Sequence, residues 1–354
     1  MCVCLIISQR LCQVFYRWDR LVFFRVSRAG AGKTKYPVDK LFELILIQTI
    51  LNSFGVWVKT FSYKLAVFLS HRLGAWFFRT FSWFIATGYF LFFPVRVKES
   101  LTFYRAVFPQ KDLAGHLYCV WKQYHHFTDV YVHRFIPWAA DEASFTREGW
   151  EHLEEAVRRK TGAIVVMSHI GNWELAAQKL QAQGLPIMLY LGAKHKEQVE
   201  KIQKEKLAET GVRVVATDEN DKSPFALLDG IAFLREGGIV SMAGDRLWGM
   251  QSSVTVSFLG HEVRLPDTPH LFALLTGAPL MTFFVHEPSP GRYAVTVSSG
   301  RTVTAVSRAE RKNVIRASAQ AYADDLARFA CAHPFEWHHF EPFLGRKIDA
   351  PYRE

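Results

Sequence analysis

The chain has 354 residues, 49% hydrophobic and 14% aromatic, enough apolar material for one large core and an appended segment, which excludes a disordered chain. Its formal net charge of +10 is confined to one end: residues 1–140 carry 18 Lys and Arg against 6 Asp and Glu, and residues 141–354 carry 25 against 27. Nucleic acid is not the expected partner, because the basic part is greasy between its charges where a phosphate-binding face would be polar.

Residues 1–40 form a basic extension. Their apolar run around Val3 to Ile7 precedes the charges and no small-residue cleavage site follows, unlike a secretory signal peptide, so the catalytic part is expected on the cytoplasmic side. Five cysteines, with Cys2, Cys4 and Cys12 crowded together and Cys119 and Cys331 isolated, support neither zinc nor a disulfide framework. Gly30-Ala31-Gly32-Lys33-Thr34 lacks the first glycine of a phosphate-binding loop, Ser27 standing in its place, and reads as a basic linker.

Residues 41–140 combine basic residues with rings such as Trp57, Phe68, Trp76, Trp83, Phe84 and Phe93. That mixture fits a membrane surface, where anionic headgroups attract Lys and Arg and rings sit at the interface. The uncharged stretches 44–58 and 80–95 both fall short of the roughly 20 apolar residues a spanning helix needs. Residues 73–93 reach that length if Arg79 snorkels. Basic flanks on both sides give no orientation, and an in-plane or re-entrant helix and a buried aromatic core helix remain alternatives. Helical spacing continues over 97–135, through Leu101, Tyr104, Val107, Leu117, Val120, Trp121 and Tyr124, to Pro137.

From residue 141 to 354 strand and helix patterns alternate, which predicts an α/β domain with a mainly parallel central sheet flanked by helices. In chain order these are a helix at 147–160, a buried strand at 163–168, a helix at 172–183 closed by Gly184, and a strand at 186–191. A charged helix at 195–210 and a strand at 212–216 follow. The next helix starts at Ser223-Pro224 and ends at Gly237-Gly238, ahead of a strand at 239–243. A hairpin about Gly260-His261, a helix at 268–276, strands near 280–285 and 292–297, and a helix at about 307–331 complete the domain.

The chemistry concentrates where the buried strand turns into a helix, at Ser168-His169-Ile170-Gly171-Asn172-Trp173-Glu174. Ligands of open α/β sheets collect beyond the carboxyl ends of strands, and His169 lies just past one. Asn172 can cap the following helix, leaving the amides of Gly171 to Trp173 for an anion or a developing oxyanion. Glu174 favours the helix start electrostatically and stands one turn from the imidazole, where it could fix the tautomer. Spacing alone is weak, since His195 and Glu200 repeat it inside the charged helix. His169 is therefore a general base or a structural histidine until its context is weighed. His333, His338 and His339 match no metal geometry, and their aromatic neighbours favour packing. No Gly-x-Ser-x-Gly elbow is present, which argues against a serine hydrolase.

The run from Met167 to Leu175 resembles the His-x4-Asp/Glu signature of the bacterial lipid A biosynthesis (late) acyltransferase family, part of the lysophospholipid acyltransferase superfamily. The resemblance continues in order through Gly244-Asp245-Arg246, the phenylalanine-leucine-glycine ending at Gly260, Leu265-Pro266, Thr276-Gly277-Ala278-Pro279 and Pro334-Phe335-Glu336-Trp337. It covers about residues 55 to 345. It implies acyl transfer from a thioester, on acyl carrier protein or CoA, to a hydroxyl of a lipid A-type glycolipid or other lipid acceptor at the bacterial inner membrane, with no cofactor. By the same resemblance His169 would deprotonate the acceptor and Glu174 would orient it. Arg246 would contact a phosphate or oxyanion, with Asp245 organising it, and Gly171, Asn172 and Lys194 would complete the substrate-binding set. Relatives often carry Arg near the end of the strand at 186–191, where this chain has Leu191-Gly192-Ala193 and then Lys194, and Pro266-Asp267-Thr268-Pro269 replaces the usual Pro-x-Gly-Pro turn. The rivals are a catalytically silent lipid-binding or membrane-assembly protein of the same fold, and a lipid hydrolase.

Overall fold

The computed structural model describes residues 68–69, 72, 74–135, 143–193, 211–218, 225–247 and 251–348. The basic extension, the stretch 44–58, Lys194, the charged helix expected at 195–210 and the Ser223-Pro224 cap lie outside the described residues. The chain divides into two units, residues 1–93 and 94–354.

In the first unit the main described element is helix α1, Ala75–Phe92. Its 18 residues rise about 27 Å, less than the roughly 30 Å hydrocarbon core of a bilayer. Among the described residues no single helix is long and apolar enough to cross a membrane. Trp76, Trp83, Phe84 and Leu91 are exposed on α1, while Phe78, Ser82 and Ala86 are buried.

The second unit opens with helices α2, Pro94–Val107, and α3, Leu113–Phe135. The helix read continuously over 97–135 is therefore two. Pro109 disfavours helical backbone at Phe108, and Asp112 restarts the helix by accepting the Gly115 N–H at 2.8 Å. By composition α2 and α3 belong to the aromatic amino-terminal segment, yet they lie within the same compact unit as the sheet.

Strand β1, Ser144–Glu148, precedes helix α4, Trp150–Arg158. The helix expected from residue 147 thus starts three residues later. Arg147 and Glu148 pair with the strand at 292–297, and Gly149 makes the turn at φ 70°. A Cβ on Gly149 would lie 2.0 Å from the Val297 carbonyl oxygen, so no other residue fits there without backbone movement.

The remaining elements are β2 Ala163–Met167, α5 Trp173–Ala182, β3 Ile187–Ala193, β4 Arg213–Asp218, α6 Phe225–Arg235 and β5 Ile239–Ala243. They continue with β6 Ser253–Phe258, β7 His261–Pro266, α7 Thr268–Thr276, β8 Leu280–Ser289, β9 Arg292–Val297 and α8 Arg311–Ala332. Seven strands form one sheet in the order β1-β9-β8-β2-β5-β3-β4, and every pairing is parallel except β8 with β9. The hairpin β6–β7 stands apart as an antiparallel pair. Its turn is Leu259-Gly260, both at positive φ, with His261 already paired to Phe258, one residue earlier than expected.

The sheet is covered on both faces. Val165, Leu189, Phe283 and Val285 join Leu153 of α4 and Leu175, Ala176 and Leu180 of α5 in one cluster. The alternate positions Ile164 and Val166 are equally buried, and α7 packs on β2 and β8, with α8 also against β8. A strand buried on both faces reads as an unbroken apolar run, which is why Ala-Ile-Val-Val-Met was legible as one.

Candidate active site

Strands β2 and β5 are parallel neighbours, with Met167 opposite Ala243. His169 and Asp245 each follow two residues beyond that pair, so the register itself carries them to one place past the carboxyl end of the sheet. Gly244 lies between, its N–H donating to the Met167 carbonyl at 2.8 Å. A Cβ on Gly244 would come 2.3 Å from Val166 Cγ1 and 2.6 Å from the Tyr322 ring, so only glycine lets the two strand ends approach.

Asp245 grips His169 at two points. Oδ2 accepts the His169 backbone N–H at 2.8 Å, and Oδ1 lies 2.8 Å from the imidazole Nδ1. Burial alone would raise the pKa of this carboxyl. The His169 imidazole, through charge and hydrogen bond, with His339 and Arg246 nearby, instead holds it well below the usual carboxylate range. An ionised carboxylate only accepts, so Nδ1 carries the proton and Nε2 is the basic nitrogen. The ring is one-fifth exposed, and among the described residues its only hydrogen-bond partner is Asp245.

Glu174 was the residue expected to orient the imidazole. Glu174 lies buried in the first turn of α5, where its charge suits the positive helix end, but the carboxylate on Nδ1 belongs to Asp245. Asn172 caps α5 as expected, its Oδ1 accepting the Leu175 N–H at 3.2 Å. The Gly171 amide is not available to an oxyanion, because it donates to the Glu336 carbonyl at 2.9 Å. Gly171 has φ +58°, and a Cβ there would meet the Val285 carbonyl oxygen at 2.2 Å, so its contribution is the tight turn. Arg246 extends Nη2 to 3.5 Å from the His338 carbonyl, while its buried Nε has no hydrogen-bond partner among the described residues. Lys194 lies outside the described residues.

A segment after α8 straps the site, and its contacts were not legible in sequence. Ile170 bridges Trp337, the His338 N–H donates to the His169 carbonyl at 2.8 Å, and Trp337 Nε1 donates to Asp245 Oδ2 at 2.9 Å. Tyr104 of α2 donates to the Pro334 carbonyl at 2.8 Å and Gln123 of α3 to the Trp337 carbonyl at 2.6 Å. His338 and His339 pack among rings, as expected, but do so against the candidate base; burial lowers them to about 3 and about 4, which keeps both neutral near pH 7. Among the described residues no group of three or more His, Cys, Asp and Glu is placed to hold a metal ion.

Glu336 of the strap accepts the Glu287 N–H on Oε2 at 2.7 Å. Burial pushes its carboxyl from 4.5 up to about 7, the nearby Glu287 charge adds to the push, and that N–H opposes it. The folded protein then holds this proton more tightly than the unfolded chain does. The resulting stability is complete below 4.5 and disappears as pH rises through about 7. Glu336→Gln keeps the acceptor without the charge, so its Tm should match the parent below about pH 4.5, pull ahead of it between about 4.5 and about 7, and hold a constant lead above that. A Tm difference that stays constant between those two values would remove this assignment.

A mainly parallel sheet that ends in an imidazole–carboxylate pair defines the protein as an α/β protein with a histidine and a buried aspartate joined at neighbouring strand ends. The chain belongs to the bacterial lipid A biosynthesis acyltransferase family, whose model matches residues 46–344. It is similar to the phosphatidylinositol mannoside acyltransferase of Mycobacterium tuberculosis (strain H37Rv), with 28% identity over 198 residues, 55% of this chain and 58% of that protein. The protein of the same name from Mycolicibacterium smegmatis is 25% identical over 196 residues, 54% of this chain and 60% of that protein. The matched region thus spans less than two thirds of these relatives.

Proposed function

We propose that the protein is a membrane-associated acyltransferase that moves a fatty acyl group from acyl carrier protein or CoA to a hydroxyl of a lipid A-type glycolipid or related lipid precursor. The observation that carries this reading is the pair His169–Asp245, with Nδ1 held at 2.8 Å and Nε2 left as the basic nitrogen. Family membership supports lipid acyl transfer as its chemistry.

In this reading Nε2 removes the proton from the acceptor hydroxyl as its oxygen attacks the thioester carbonyl carbon. The C–O bond forms, the carbonyl π electrons move to oxygen, and their return breaks the C–S bond. The imidazolium gives its proton to the departing thiolate, and Asp245 stabilises the imidazolium in between. Arg246, whose buried Nε has no hydrogen-bond partner among the described residues, serves the oxyanion or a substrate phosphate. Asn172 and Lys194 belong to the substrate-binding set, Gly171 shapes the turn, and Glu174 supports the helix start.

Membrane association is assigned to the aromatic, basic residues 41–140, with the α/β domain on the cytoplasmic face of the inner membrane. Supporting it are the exposed Trp76, Trp83, Phe84 and Leu91 of α1 and the charge excess of residues 1–140. Mass spectrometry of purified membranes given a labelled acyl thioester should find acylated lipid and thiol release only when an acceptor is present. Free fatty acid released without an acceptor would establish the hydrolase instead.

A further inference from the structure

Asp245 accepts three hydrogen bonds, and one of them comes from neither strand end. Trp337 Nε1 donates to Oδ2 at 2.9 Å, the oxygen that also takes the His169 backbone N–H at 2.8 Å, while Oδ1 serves Nδ1. The terminal carboxylate torsion is broad and roughly two-fold, so a third donor narrows the orientations this carboxylate can adopt. It also offsets part of the cost of burying the charge.

The indole is built into place. It is 2% exposed and is boxed by Phe103, Phe258, His339 and Phe343, with ring centroids 4.9, 5.5, 5.2 and 5.0 Å away. Gln123 Nε2 holds its carbonyl at 2.6 Å, and the bridge to Ile170 ties its backbone to the residue after His169. Phe, His or Leu could fill an aromatic box, but none would supply an indole N–H there. A group that donates once and never accepts matches an ionised carboxylate.

We propose that Trp337 is a positioning residue for acyl transfer, its indole N–H fixing the Asp245 carboxylate in the orientation that holds the His169 imidazole. This rests on His169 being the general base. Trp337 acts through Asp245 and not on the substrate, so its removal lowers turnover and leaves donor binding alone.

In the full-length protein, Trp337→Phe is expected to lower kcat about tenfold, the size of one charge-assisted hydrogen bond, with KM for the acyl thioester unchanged. Installing β-(3-benzothienyl)alanine at position 337 keeps the ring shape and replaces N–H by sulfur; it should give the same loss and substitutes for Phe if that variant does not fold. In an Asp245→Asn background, Trp337→Phe should have no further effect on kcat, because the carboxylate it serves is already gone. Parental kcat in the benzothienyl protein overturns the proposal, as does a loss that persists undiminished in the Asp245→Asn background. His169→Ala separates the two readings: activity surviving there removes the general base itself, whereas its loss there with full activity of the benzothienyl protein removes only the role of Trp337.

Discussion

His169→Ala is expected to lower acyl transfer in purified membranes by about 10²- to 10⁴-fold, the range a positioned general base contributes. The effect should fall on kcat, because an alcohol at neutral pH is a poor nucleophile until its proton has an acceptor. The protein should still fold: the His169 ring is one-fifth exposed, and Asp245 keeps the backbone N–H of residue 169 and the Trp337 indole as partners. Some stability should be lost, since the imidazole is the largest influence holding the buried Asp245 carboxyl low. Unchanged turnover in this variant would end the catalytic reading and leave a lipid-binding protein of the same fold.

Asp245→Asn is expected to be as severe, about 10⁴-fold in kcat by analogy with orienting carboxylates of catalytic triads. Three donors converge on Asp245, and an amide has one oxygen to meet them. At least one buried donor is left facing an NH2 group, which costs about 1–3 kcal/mol of stability. If the imidazole relieves that conflict by moving its proton to Nε2, the basic nitrogen turns inward and the acceptor hydroxyl loses its base. Glu174→Gln, by contrast, should cost far less in kcat, because the carboxylate on the imidazole Nδ1 is that of Asp245. Kinetics and thermal melting of the two variants together decide the matter: a near-parental Asp245→Asn beside an inactive Glu174→Gln would return the orienting role to Glu174.

The difference between Glu174 and Asp245 shows where sequence reading stops. Glu174 lies five residues from His169 and invites a local explanation, whereas Asp245 lies 76 residues away. The spacing rule could not choose, because His195 and Glu200 share it. What chose was the parallel register of β2 and β5, a hydrogen-bonding pattern between strands that no single strand encodes. Gly244 was legible as part of a Gly-Asp-Arg block, but its crowding against Val166 and Tyr322 was not. Trp337 was legible as the end of a Pro-Phe-Glu-Trp block, but its hydrogen bond to Asp245 was not.

Local rules handled local elements well. The run Ala163–Met167, the Asn172 cap and the hairpin β6–β7 follow from apolar pattern, capping chemistry and turn residues, all of which act within a few positions. They failed where a neighbour in space overrode them: Arg147 and Glu148 look helical by charge and spacing, but β9 offered an edge to pair with and Gly149 allowed the turn. The amino-acid order by itself therefore determined the α/β class, the place of His169 past a buried strand and the concentration of basic, aromatic residues in the first 140. Only the tertiary structure decided which carboxylate serves His169, that the Gly171 amide is spent, and that α2, α3 and the segment after α8 hold Trp337 against Asp245. Hydrogen bonds between residues far apart in the chain depend on register and packing, and those are properties of the assembled sheet, not of any stretch of sequence.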